Sequence, residues 1–287
     1  MANLKEIRLR ITSVGSTMQI TSAMKMVSAA KLKRAQDAIT QMRPYANKLT
    51  DLLENLSASL DGSDQGLYSQ NREIKNVLLV SVTSNRGLCG GFNANIIKKV
   101  KKLINDDYSN INTKILSIGK KSSEHFEKNG FNVIGKHDSL FGDLTFENVS
   151  KVAESIMKEF ASGNFDKVVL IYNQFKNAAT QTVMTENYLP VQANKNEGTN
   201  SGEYIFEPEK QEIVEQLIPK SLNTQLFKAI LDSHASEHGS RMTAMHKATD
   251  NAGELKKELT LTYNKARQAA ITGEILEIVG GAEALKG

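Results

Sequence analysis

The stretch ATDNAGELKKELTLTYNKARQAAITGEILEIVG, residues 248–280, decides the reading of this chain. Ala248, Ala252, Leu255, Leu259, Thr262, Ala266, Ala269, Gly273, Leu276 and Gly280 follow one another at steps of four and three in strict alternation. That is a seam of period 3.5, the signature of a coiled coil. The helical pattern around it runs from about Glu209 to Lys286 with one proline, Pro219. A second such pattern opens the chain, from about Ala2 to Leu56, with Pro44 inside it. There Leu4, Ile7, Ile11, Val14, Met18 and Thr21 step by three and four as well. At 1.5 Å per residue the two would be rods of about 80 Å and about 115 Å. Rods of that length bury their stripes most economically on each other, as an antiparallel coiled coil. The simpler alternative is two ordinary amphipathic helices in a bundle.

Between the ends the pattern changes. Ile74–Val82 reads as a buried strand, followed by a loop, Thr83–Phe92, and a helix near Asn93–Ile104. A strand at Thr113–Ile118, a helix at Lys120–Asn129 and a short strand at Phe131–Ile134 come next. Then a helix from Thr145, its N-cap, to about Ser162 precedes strands at Lys167–Tyr172 and Gln181–Leu189. Alternating strands and helices imply a Rossmann-like, mostly parallel sheet. The expected organisation is α/β with long helical extensions: a coiled-coil helix over 1–57, a linker over 58–73, the Rossmann-like domain over 74–192, a linker over 193–208 and a second coiled-coil helix over 209–287.

The composition narrows the class. With 40% apolar residues among 287, no run approaches a membrane span, and no signal-like leader opens the chain. The lone Cys89 excludes an internal disulfide and suits a reducing compartment. The net charge of +4 is unevenly placed. Residues 1–50 hold Lys5, Arg8, Arg10, Lys25, Lys31, Lys33, Arg34, Arg43 and Lys48 against only Glu6 and Asp37. A basic rod suits an anionic partner: nucleic acid, lipid headgroups or acidic protein loops. The scarcity of aromatics along it argues against stacking on single-stranded nucleic acid.

Two motifs suggest chemistry, and both are incomplete. Gly87-Leu-Cys-Gly90-Gly91 lies between a strand and a helix, where a phosphate could sit. The glycine spacing fits no dinucleotide fingerprint and no Lys-Ser or Lys-Thr follows, so a tight structural turn is the better reading. His234-Ala-Ser-Glu237-His238 matches a zinc-peptidase pattern, with two His on one helical face. A third ligand and a cleft are wanting, and His246 lies too far along to close the site. No catalytic, cofactor-binding or metal-binding residue is therefore assigned, and a non-enzymatic role is expected.

The opening Lys5-Glu-Ile-Arg-Leu-Arg-Ile-Thr-Ser-Val14, with Ile20-Thr-Ser-Ala-Met-Lys-Met-Val27, resembles the N-terminal helix of the γ subunit of bacterial F-type ATP synthases. The close, Ile271-Thr272-x-Glu274-x-x-Glu277-x-x-x-Gly281-Ala282-x-Ala284, is similar to that family's C-terminal signature at every defined position. Arg241-Met-x-Ala-Met245, Ala248-Thr-Asp-Asn251, Ser84-Asn-Arg-Gly-Leu-Cys-Gly-Gly-Phe-Asn93 and Tyr204-Ile-Phe-Glu-Pro208 fit it too, with Asn85 standing where Asp is expected. The resemblance implies a central-stalk rotor, without catalysis of its own and without a cofactor. It would carry torque between the proton-driven c ring and the catalytic α3β3 ring, whose β subunits perform the ATP chemistry. Implied partners are the α, β and ε subunits and the c ring, in a complex holding one copy of the chain, with no nucleic acid. The implied place is the cytoplasmic face of the bacterial inner membrane, peripheral to it.

Several residues take expected roles. Ile7, Ile11, Val14, Met18, Leu255 and Leu259 form the seam, with Ile7 set opposite Leu259, Ile11 opposite Leu255 and Thr21 opposite Met245. The resemblance implies contacts to the α/β ring from Arg8, Arg10, Lys25, Lys31, Lys33, Gln268, Thr272, Leu276 and Val279. It implies contacts to the c ring and ε from Tyr204 and Glu207. Residues 269–285, apolar and glycine-punctuated, would turn inside an apolar collar of the ring. The competing classes are a nucleotide-binding α/β enzyme and a basic coiled-coil scaffold.

Overall fold

A computed structural model of the chain describes residues 4–58, 67–69, 72–191 and 210–285. Helix α1 spans Leu4–Ala58 and helix α5 spans Lys210–Ala284, each with its proline inside. Between them lie β1 (Asn76–Val82), α2 (Phe92–Lys102), β2 (Asn112–Ile118), α3 (Lys120–Lys128), β3 (Val133–Lys136), α4 (Phe146–Ala161), β4 (Lys167–Phe175) and β5 (Gln181–Leu189). A π turn at Leu103–Asp107 extends α2, and a short 3-10 turn covers Asp138–Phe141. Thr145 caps α4, its hydroxyl accepting from the Asn148 amide at 3.3 Å, which satisfies one of the orphan N–H groups of the first turn.

The five strands stand in the order β3-β2-β1-β4-β5. The first four are mutually parallel, and β5 returns antiparallel along β4. The β3 pairing lies two residues beyond the expected strand, because Gly135 and Lys136 rather than Phe131 take up the ladder with Leu116 and Ser117. Strand β4 runs three residues past Tyr172, where β5 supplies partners out to Phe175.

Side chains alternate across the sheet and build a core on each face. Leu78, Val80 and Val82 of β1 face a cluster with Val149, Ile156 and Phe160 of α4 and Leu222, Leu226 and Ile230 of α5. Val77 and Leu79 face the opposite cluster, with Ile96 and Val100 of α2 and Phe126 of α3. Each large aliphatic sealed in this way contributes about 1.5–3 kcal/mol of burial. At the end of β2 the chain turns at Gly119, whose φ of 101° and whose neighbour, the Thr83 carbonyl, leave no room for a Cβ.

The chain divides into two compact units, Met1–Ser28 with Met242–Gly287, and Ala29–Arg241. The unit holding the sheet also takes residues 29–58 of α1 and 210–241 of α5. On α1 the buried positions Leu32, Ala35, Ile39, Ala46 and Leu49 continue the three-and-four stepping of the N-terminal seam. No described helix is long and apolar enough to cross a membrane.

Candidate interaction surfaces and the crevice at the sheet ends

In the smaller unit the two helices run antiparallel in a register different from the expected one. Thr249 donates its hydroxyl to that of Thr21 at 2.8 Å, so Thr21 lies against Thr249 rather than Met245, four residues away. Lys25 Nζ reaches His246 Nδ1 at 3.4 Å. Gly15 faces the Lys256 stem, and Gly253 faces the Met18 sulfur. These contacts give the reason for the shift: each glycine leaves a hollow that receives a long side chain from the other helix. On α1, Ile7 is buried and Ile11, Val14 and Met18 are half-buried. On α5, Leu259 is half-buried, but Leu255 is 43% exposed and Lys256 takes the inward position instead. The inward line therefore runs through Met245, Thr249, Ala252, Lys256 and Leu259, sharing only alternate members with the line that begins at Ala248.

Among the residues expected to meet the ring, Arg8, Arg10, Lys31 and Lys33 are exposed and Lys25 is half-buried. Lys33 pairs with Asp37 at 3.1 Å on an open face, where such a pair contributes about 0–1 kcal/mol. Gln268, Thr272, Leu276 and Val279 are all exposed, as are Ile271, Ile275, Ile278 and Leu285. An apolar helical surface this continuous is unusual in a chain that works alone. Tyr204 and Glu207 lie outside the described residues.

The glycine motif forms the turn after β1. Leu88 and Gly90 both take left-handed backbone conformations, with φ of 61° and 57°. Ser84 knots the turn: its hydroxyl donates to the Arg86 carbonyl at 2.6 Å, and its amide donates to Asn93 Oδ1 at 2.9 Å. Asn85 donates to the Asp138 carbonyl at 2.7 Å and accepts from the Lys120 amide, so it ties the turn to the next two loops. Cys89 is buried inside, and burial pushes its thiol pKa up.

Helix α5 crosses over this turn. Ser240 donates to the Cys89 carbonyl at 2.6 Å. Arg241 Nη2 donates to the carbonyls of Arg86 at 3.0 Å and Gly87 at 3.2 Å, while its Nη1 pairs with Glu237. Ser236 donates to the Asn173 carbonyl of β4 at 3.0 Å. From α1, Arg43 Nη2 donates to the Phe175 carbonyl and to Asp232 Oδ1, both at 3.0 Å. Burial raises the carboxyl pKa of Glu237 and Asp232, and each is opposed by its arginine. Sequence reasoning singled out Arg241 only as part of a family pattern and missed Ser236, Ser240 and the Arg43–Asp232 pair. The partners of these side chains are mostly backbone carbonyls, which leave no trace in residue types.

The two histidines of the zinc-peptidase pattern do meet, with Nε2 atoms 3.1 Å apart. His234 also stacks on Phe141. Burial, with the charges of Lys31 and Arg241 nearby, lowers the pKa of His234 to about 4, and burial, with His234 and then Arg241 and Lys31 beside it, lowers that of His238 to about 3. The pair is therefore neutral at pH 7, one ring donating to the other. The glutamate of the pattern is taken by Arg241 rather than aimed between the rings. Among the described residues no group of three or more His, Cys, Asp or Glu is placed to hold a metal ion.

One unit pairs two long helices and leaves an apolar stretch exposed, and in the other α5 fills the crevice at the carboxyl ends of β1 and β4. A family model described as ATP synthase matches residues 3–285. The chain is 65% identical to the ATP synthase gamma chain of Flavobacterium johnsoniae and 59% identical to that of Christiangramia forsetii, each comparison covering all of both chains. It belongs to the ATP synthase gamma chain family. Among solved structures, it resembles a chain of the central stalk and c-ring of the Tetrahymena thermophila mitochondrial ATP synthase. That match has 26% identity and a TM-score of 0.61 over 80% of this chain and 99% of the other. A chain of the Euglena gracilis mitochondrial enzyme shares the fold, with a TM-score of 0.70 over 98% and 94% at 20% identity.

Proposed function

We propose that this chain is the central-stalk rotor subunit of an F-type ATP synthase, transmitting torque between a proton-driven c ring and a catalytic α3β3 ring. The observation that carries the reading is family membership over nearly the whole length, residues 3–285, in a chain whose two ends pair as long helices. A shaft must resist bending and twisting, and paired helices interlocked by glycine hollows suit that task. The exposed apolar segment from Ile271 to Leu285 is the part that turns within the collar of the ring. The basic N-terminal helix faces acidic loops of the β subunits. The sheet-bearing unit meets ε and the c ring, with Tyr204 and Glu207 among its contacts. ATP is made and hydrolysed on the β subunits; this chain supplies no reacting group. It occupies the cytoplasmic face of the inner membrane, held there through the c ring, in one copy per complex.

Affinity purification of a tagged chain from detergent-solubilised membranes tests this. Co-elution of α, β, ε and c subunits with ATPase activity is expected. Recovery of the chain alone, or with nucleic acid, would overturn the reading. Removal of residues 271–285 is expected to leave the chain folded while weakening rotation-coupled proton transport.

A further inference from the structure

In open parallel sheets, ligands bind outside the carboxyl ends of the strands, where the strand order switches direction. Here that switch falls between β1 and β4, since the chain leaves β1 for β2 on one side and later returns to β4 on the other. The place is not open. Helix α5 lies across it at van der Waals distance. A Cβ added to Gly239 would stand 3.3 Å from the Ala178 backbone, and one on Gly90 would stand 3.4 Å from the Ser240 hydroxyl. Ser236, Ser240 and Arg241 lie close together on α5, and each donates to backbone carbonyls there: Asn173 at the end of β4, Cys89, Arg86 and Gly87 in the turn after β1. The β1 turn and β4 are themselves joined, because Asn173 donates to the Phe92 carbonyl at 3.3 Å. Arg43 of α1 holds the Phe175 carbonyl from the other helix.

We propose that Ser236, Ser240 and Arg241 form a grip by which α5 holds the carboxyl ends of β1 and β4, and that this grip carries torsional load between the sheet and the helix. The proposal rests on the rotor reading. Its physical basis is the type of acceptor. A backbone carbonyl has no rotamers, so a short side chain bonded to it has little freedom to yield when the helix twists. Ser236 is fully buried and Arg241 nearly so, which keeps water from substituting for the lost bond. The three residues are positioning residues: they touch no nucleotide, and their effect passes through α5.

The test uses the complete ATP synthase complex with the chain carrying Ser236→Ala and Ser240→Ala together. The control is Ser233→Ala, which removes a similarly buried hydroxyl with no hydrogen-bond partner among the described residues. Amide exchange is expected to quicken by roughly tenfold in residues 84–91, where the Ser240 bond is lost, and likewise around Asn173, where the Ser236 bond is lost, in the double variant. ATP-driven proton pumping against an imposed gradient is expected to fall, while ATP hydrolysis by the uncoupled, unloaded complex stays at the wild-type rate. The single Ser240→Ala variant should show a smaller change of the same kind, and Ser233→Ala none. Faster exchange with undiminished pumping under load would overturn the proposal and leave the grip a folding contact. Unchanged exchange would overturn it as well. If the wild-type chain does not co-purify with the ring subunits, it is the rotor reading that fails, and the exchange result still reports whether the grip holds the turn.

Discussion

One helix, α5, has two different lives. From Ile218 to Arg241 it is sealed almost all round: Leu222, Leu226, Ala229, Ile230 and Ala235 pack in the core, and Ser233, Ser236 and Glu237 are buried beside them. From Met245 onward only one line is covered, through Met245 and Ala252, and beyond Ala266 nearly everything is exposed. The first stretch is stabilised by apolar burial and by polar groups with fixed partners. The second has small side chains, three glycines within its last fifteen helical residues or so, and a bare apolar surface. The first is shaped by what it packs on within the chain; the second leaves its apolar side chains uncovered.

The largest effect should come from breaking the buried ion pair of the first stretch. Glu237→Leu leaves the Arg241 guanidinium buried without its carboxylate, and a loss of roughly 3–5 kcal/mol is expected in denaturant unfolding of the isolated chain. Leu226→Ala, at a fully buried position, should cost about 2–5 kcal/mol in the same measurement. Its counterpart in the second stretch, Leu276→Ala, should stay within about 0.5 kcal/mol, because that side chain is already 66% exposed. A comparable loss at Leu276 would break the contrast between the two stretches.

Acid should act on the first stretch more than on the second. His234 and His238 titrate in the folded chain well below the ordinary imidazole value, so the unfolded chain binds their protons first. Their contribution is therefore complete above about pH 6.5 and is lost as pH falls toward about 4, by up to about 1.4 kcal/mol per pH unit for each group. The raised carboxyl pKa values of Glu237 and Asp232 act in the opposite sense, favouring the fold as they take up protons. Unfolding measured between pH 7 and pH 5 should thus show a downward slope that flattens in a His234→Phe variant. An identical slope in both chains would remove the histidine pair from the account.

The paired-helix unit should respond more gently. Thr21→Ala removes one hydroxyl bond to Thr249, for about 0.5–1.5 kcal/mol. Cysteines at positions 21 and 249 should cross-link on oxidation and cysteines at 21 and 245 should not, which would sharpen the register directly. The smallest effect is expected at the exposed basic positions. Lys33→Ala should change stability by about 0–1 kcal/mol, measured by thermal unfolding.

Much of this is legible in the sequence. The three-and-four stepping marked both long helices, and strand–helix alternation marked the sheet, because each rests on a local period that side chains must obey to bury their apolar groups. Strand β5 emerged with the expected ends, Gln181 and Leu189. The run Gly87–Gly91 forms the tight turn expected of it, and the two histidines of His234–His238 meet as their i, i+4 spacing implies. What residue types alone do not announce is that Ser240 and Arg241 of α5 bond to the carbonyls of the turn, and that Phe141 stacks on His234.

Residue order alone settled that there are two long helices, that an α/β sheet lies between them in sequence, and which face of α1 turns inward. A heptad period specifies a face, and on α1 the apolar residues leave one choice. On α5 the period is satisfied equally by the line through Leu255 and by the line through Lys256. Only packing chose between them, because Gly15 and Gly253 open hollows that a long stem and a thioether fill. The same holds for the crevice between β1 and β4. Its filling by α5 rests on bonds to backbone carbonyls, groups that every residue carries alike, so no pattern of residue types announces them.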